Sequence, residues 1–497
     1  MDLDAYRHSA EAFLSELTAE FYRHYAGLKD DYEIEPIYAR HPSLFTRKAV
    51  DELRQLAAEA SPGGEDRRRL VMLSDFAIEG FIGQATKQLE SELARREAAL
   101  ELVVDGGRIG FRESAVMQAN EPNGERRAEI EDARLELIDR VLNPLYRELV
   151  GNQHAVAREL GYRSYEELCA ECKQVDLRGL QAQTAAFSAA TEAAFADVLE
   201  PQLRRGLGIG LGELRRSDLP RFFRAAEEDD RYPAPQVVPS FIETARGLGF
   251  ALERQPQVVL DVESRPNKSP RAFCAPVRVP SEVYLVISPV GGRDDFAALF
   301  HEGGHTQHYA NVDHRLPFEF RCLGDNAITE SFAFLLQHLI EQPEWLSRRL
   351  GCDDAHELSA HARAVRLIYL RRYAGKLAYE LELHGDGHAD YDSLADRYSA
   401  LLSEALQIPW RRETFLADVD PGFYSSCYLR AWALETHLRA HLQERFGPRW
   451  FESNEAGAAL QGLWREGQRL TPQELLAALT GQQLDFTVLL SDLGLAP

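Results

Sequence analysis

Apolar residues recur at spacings of three and four from the first residues to about position 217. Ala12, Phe13, Leu17 and Phe21 make one such stripe, and Leu135, Ile138, Val141 and Leu145 make another. That period matches the α-helix, so residues 1–217 are expected to form an N-terminal helical region with almost no period-two alternation. The pattern changes between Pro220 and Pro289, where ten of the 23 prolines fall. Proline removes an amide donor and breaks helices, and the only convincing β-like runs lie in this window: Val258-Val259-Leu260 and Val283-Tyr284-Leu285-Val286-Ile287. A small sheet is therefore expected over about 256–289. After Gly291-Gly292 the helical period returns near 294–310, 326–341, 354–384, 424–444 and 472–480. The expected fold class is mainly α, with one small β-sheet beside helix 294–310 and a second region spanning 218–497.

Composition narrows the function classes. The 497 residues are 45% hydrophobic and 27% charged, the balance of a folded globular protein. Lys plus Arg total 56 against 79 Asp plus Glu, a net charge of −23 that repels phosphate backbones and anionic lipid. Neither nucleic acid nor a membrane is an expected partner. No apolar run reaches membrane-spanning length, and the N-terminus carries acids where a secretory signal has basic residues. The six cysteines are too few and scattered for a disulfide framework, so a cytoplasmic, reducing location is expected.

The helix after the Gly-Gly turn carries His301-Glu302-Gly303-Gly304-His305. Histidines four apart project from one helical face and can reach a single ion, for which zinc is the natural candidate. Asp294 or Asp295 can cap this helix, and Phe296, Leu299 and Phe300 give it an apolar stripe. Each glycine costs a helix about 1 kcal/mol relative to alanine, which points to a close approach to the backbone by substrate or by a packed neighbour. A hydrolytic zinc site needs three protein ligands and an open position. The metzincin pattern, with glycine at 308 and histidine at 311, is excluded because the chain has His308 and Asn311 there. His308 is expected in a supporting or packing role. Downstream, Asp325 and Asn326 open an apolar segment in which Glu330 stands among Ile328, Phe332, Phe334 and Leu335. Burying that carboxylate costs several kcal/mol unless a cation pairs with it, so Glu330 is either the third ligand, the preferred assignment, or a member of a buried salt bridge. Glu319 and Glu341 are weaker candidates. Glu302 is then left beside the open position, placed to carry a proton from water to a leaving amine in hydrolysis of an acyl bond.

These residues resemble the thimet oligopeptidase and oligoendopeptidase F family of zinc metallopeptidases. The resemblance rests on His301 to His305 followed by Thr306-Gln307-His308, on Glu330 lying 25 residues past His305, and on Gly422-Phe423-Tyr424-Ser425-Ser426-Cys427-Tyr428. It is specific over about 265–432. It implies a helical ellipsoid with a deep substrate channel, one zinc ion per chain, peptide substrates, and a small sheet whose edge strand holds an extended peptide. It also implies that Tyr424 and Tyr428 act as catalytic donors to the carbonyl oxygen as it gains charge. The chain departs from the family in lacking a histidine just before these tyrosines, where Asp418, Asp420 and Gly422 stand. The function expected is a zinc-dependent endopeptidase acting on short or unfolded peptides. A metallocarboxypeptidase of the helical Taq-carboxypeptidase type is an alternative, although its His-Glu-Ser-Gln signature is replaced by Thr329-Glu330-Ser331-Phe332. A catalytically silent helical peptide-binding protein is a third. Cys169-Ala170-Glu171-Cys172 lacks a second pair at ligand spacing, and His384, Asp386, His388 and Asp390 are not expected to converge on an ion. Arg204-Arg205 and Arg371-Arg372 read as solvated faces or ion-pair partners.

Overall fold

The spacing of apolar side chains is realised as helix along most of the chain. The computed structural model describes residues 1–387 and 390–495 and is mainly α, with two small sheets among the described residues. Helices run over Arg293–Ala310, Asn326–Gln337, Ala355–His384, Tyr424–Phe446 and Pro472–Thr480, close to the expected boundaries. The second continues to Glu341 as a 3₁₀ stretch. No described helix is long and apolar enough to cross a membrane. The described residues form five strands: β1 (Glu101–Val104), β2 (Gly107–Gly110), β3 (Val258–Asp261), β4 (Phe273–Arg278) and β5 (Glu282–Val286).

The chain divides into two compact units, each assembled from separate stretches. The first takes Met1–Phe81, Glu228–Ser359 and Arg430–Leu484; the second takes Ile82–Glu227, Ala360–Leu429 and the stretch from Asp485. Residues from both sides of position 217 enter each unit, so the expected division there is one of sequence pattern and does not coincide with these units.

In the first unit, β5 lies between β3, parallel to it, and β4, antiparallel. The run Phe273–Arg278 contains Pro276, which the sheet tolerates because β4 is an edge strand. Phe21 meets Phe273 edge-on at 5.2 Å and Tyr22 stacks on Tyr284 at 3.8 Å, so helix Leu3–Tyr25 covers one face of the sheet. Cys274 and Leu285 are paired across β4 and β5 and point to the other face, where the Cys274 thiol meets Thr306 of helix Arg293–Ala310. The stripe Phe296, Leu299 and Phe300 is fully buried, with Phe300 edge-on to Phe241 at 5.4 Å and to Trp345 at 5.2 Å.

The second unit corrects the expectation of a single sheet. Strands β1 and β2 form an antiparallel hairpin whose Leu102 and Val104 enter a core with Leu93, Phe111, Ile130, Leu135 and Leu142. Its turn is Asp105-Gly106, both with positive φ (52° and 75°). Asp-Gly is the dipeptide that such a turn favours, so the hairpin carried a local sequence signal that was missed.

Candidate metal centre

Helix Arg293–Ala310 begins after Gly292, whose φ of 86° suits glycine. Asp295 acts differently from the expected cap: its Oδ2 accepts the Val290 and Gly291 amides of the preceding turn, at 2.5 and 2.8 Å. The two glycines of the motif are explained by packed neighbours. A Cβ on Gly304 would stand 2.5 Å from both Ala333 Cα and Phe332 O, and one on Gly303 would stand 2.3 Å from the Phe241 ring. Helices Arg293–Ala310 and Asn326–Gln337 therefore touch backbone to backbone at Gly304, which is what brings Glu330 to the histidines.

His301, His305 and Glu330 form a group whose ligand atoms all lie within 4.8 Å of one another and which could hold a metal ion. Nε2 of His301 stands 3.4 Å, and Nε2 of His305 3.7 Å, from Glu330 Oε2. Zinc–ligand bonds of about 2.0–2.1 Å at tetrahedral angles separate donor atoms by about 3.3 Å, so the three side chains fit such an ion with little movement. The Glu330 carboxylate thus faces both imidazoles.

Each imidazole is oriented from behind. His301 Nδ1 lies 2.8 Å from Gln337 Oε1, an acceptor, so Nδ1 carries a proton and Nε2 is the nitrogen directed at Glu330. His305 Nδ1 lies 2.8 Å from Thr329 Oγ1. Burial, reinforced by neighbouring His301, pushes His305 down to about 3 and keeps it in the neutral, ligating form. Burial acts in the same sense on His301, but its hydrogen bond to Glu330 and the charges of Glu302 and Glu330 leave it raised. Burial lifts Glu302 to about 6 against the opposing pull of His301 and of the Cys274 amide. That amide, at the edge of β4, donates to Glu302 Oε2 at 2.9 Å and fixes the carboxylate.

Other candidates are engaged elsewhere. Glu319 is fully buried and pairs with Arg7 at 2.6 Å and Arg69 at 3.3 Å; Glu341 pairs with Arg293 at 3.0 Å. His308 is buried, 3.3 Å from Gly467 O, and packs on Phe332, in keeping with a supporting role. Cys169 is buried and Cys172 half-buried on helix Tyr165–Cys172. His384 lies 2.9 Å from His154, Asp390 caps helix Tyr391–Leu406, and His388 lies outside the described residues. Arg204 pairs with Glu200, while Arg371 is buried and binds Ala405 O and Ser188 O, each at 2.6 Å, together with Glu192.

Tyr424 and Tyr428 belong to the second unit. Tyr424 opens its helix after a turn in which Gly422 and Phe423 both have positive φ (60° and 57°), and its ring meets that of Tyr428 at 5.0 Å. The turn is gripped by Glu380, a fully buried carboxyl that accepts the Asp420 amide at 2.9 Å and the Ser425 hydroxyl. Burial, opposed by Lys376, pushes Glu380 up to about 8. Lys376 also pairs with Asp420 at 2.9 Å, and Tyr398 donates to Asp418 at 2.6 Å. The acidic stretch that stands in place of the family's histidine is thus tied down by ion pairs and hydrogen bonds.

Sequence reasoning missed Thr329, Gln337 and the Cys274 amide. The first two are polar residues flanking the apolar run of helix Asn326–Gln337, a weak signal; the third is main chain and leaves none. Comparison with protein-family models and with curated proteins finds no match to this chain.

Proposed function

We propose that this chain is a zinc-dependent endopeptidase of the thimet oligopeptidase and oligoendopeptidase F kind, acting on short or unfolded peptides. The observation that carries the reading is the convergence of His301 Nε2, His305 Nε2 and Glu330 Oε2, with Glu302 fixed one residue away. Two imidazoles and one carboxylate are a donor set suited to zinc, and they leave a coordination position open. Zinc held there supplies a Lewis acid that polarises an acyl carbonyl and makes water nucleophilic near neutral pH. Glu302 performs the proton work. Its Oε2 is occupied by the Cys274 amide, so Oε1 takes the proton from the attacking water and passes it to the leaving amine.

The test is Glu302→Gln. Stoichiometric zinc is expected to remain while peptide cleavage falls by about 10²–10⁴-fold, the range of general acid–base catalysis. Full activity in the variant removes Glu302 from its role. Mass spectrometry of the wild-type products decides the mode: internal cuts support an endopeptidase, and a ladder shortening from the C-terminus assigns a carboxypeptidase. Stoichiometric zinc with no turnover on a broad peptide mixture identifies a silent binding protein.

A further inference from the structure

Both ends of the helix that bears Glu330 are pinned to one stretch of chain, Arg430–Arg439, within the first unit. At its start, Asp325 accepts the Ala327 amide at 3.0 Å as a cap, and Arg430 bonds both oxygens of the same carboxylate. At its end, His338 Nδ1 stands 2.9 Å from Glu435 Oε2, while Arg439 Nε donates to Glu435 Oε1 at 2.7 Å. Glu435 is fully buried. Burying a charged pair gains little over burying apolar groups of similar volume, so fold stability alone is a poor explanation for a carboxylate at this position. What the pair does fix is position.

The position it fixes belongs to His301. The His338 ring stacks on Phe334 with centroids 5.6 Å apart and planes 14° apart, and Phe334 stacks in turn on Trp432 at 5.3 Å. Phe334 also meets the His301 imidazole edge-on at 5.2 Å. Gln337, adjacent in sequence to His338, holds His301 Nδ1. Two groups that orient His301, the Phe334 ring and the Gln337 amide, thus sit on the turn that Glu435 clamps.

We propose that Glu435, acting through His338, Phe334 and Gln337, is a positioning residue that pre-sets His301 against Glu330 for metal binding. The inference rests on the reading of His301, His305 and Glu330 as ligands, and does not depend on catalysis. Ionisation of Glu435 is consistent with it: burial opposes the charge, but Arg439 and His338 hold the carboxyl down to about 2.

The experiment strips metal from the full-length protein and titrates zinc against a chromophoric chelator, with the cobalt(II) absorption band as a second readout. Glu435→Gln and His338→Phe are compared with wild type; the second keeps an aromatic ring for stacking and carries the test if the first does not fold. Residues that orient metal ligands from behind typically cost 10–100-fold in affinity when replaced, so the dissociation constant is expected to rise about ten-fold with an altered cobalt spectrum. A role in fold stability alone lowers the melting temperature of metal-free and metal-loaded protein alike and leaves the affinity of the folded protein unchanged. That result, with tight binding by the wild type, overturns this inference and leaves the ligand assignment intact. Absence of zinc and cobalt binding by the wild type overturns both.

Discussion

Four buried glutamates show how one side-chain type takes different roles according to what faces it. Glu330 faces two imidazoles, Glu319 two arginines, Glu435 an arginine and a histidine, and Glu380 an amide and a hydroxyl with Lys376 nearby. Of these, Glu330 was the preferred candidate ligand in the sequence and Glu319 a weaker one, because Glu330 stands alone as an acid within an apolar helical run. Glu380 has a measurable consequence. Its folded value of about 8 lies above its ordinary 4.5, so between those values the folded chain binds more protons than the unfolded one. Its contribution is therefore full below about pH 4.5 and is lost as the pH rises through about 8. Glu380→Gln mimics the protonated form at every pH. Its melting temperature is expected to gain several degrees on wild type between pH 6 and pH 9, and a difference that stays constant across that range refutes the assignment.

Elements are where the hydrophobic pattern read most truly. Helix Arg293–Ala310 follows from its stripe, and Asn326–Gln337 from its capping residues and apolar run. Strand β4 escaped notice because Pro276 reads as a breaker until its place at a sheet edge is known. The glycines of the motif carried an ambiguity that packing resolved. Alanine at either position gains about 1 kcal/mol of helix propensity, yet at 304 it drives a Cβ into the facing backbone, which cannot turn aside, whereas at 303 it meets only a phenyl ring. Gly304→Ala is therefore expected to destabilise by about 1–3 kcal/mol, the usual cost of overpacking, and Gly303→Ala by less. Thermal or denaturant unfolding ranks the two, and the reverse order contradicts the packing argument.

At the scale of the molecule, all three candidate ligands lie in the first unit, although His305 and Glu330 come from different helices. Metal binding links them, so chelation is expected to lower stability and added zinc to restore it. The gain grows with ligand excess and reaches about 4 kcal/mol at a thousandfold excess over the dissociation constant. Hydrogen exchange should slow most along 293–310 and 326–337, and protection that ignores zinc counts against the site. The sequence by itself determined the mainly α class and the helix carrying His301 and His305, and it made Glu330 a candidate, because each of these depends on local periodicity, on a motif within about one helical turn, or on a lone acid in an apolar run. Only the tertiary structure decided the two interleaved units, the backbone contact at Gly304, and the hold of Gln337, Thr329 and Cys274 on the reactive side chains. Those contacts join positions 24 to 36 residues apart through packing, and packing between distant segments leaves no period along the chain.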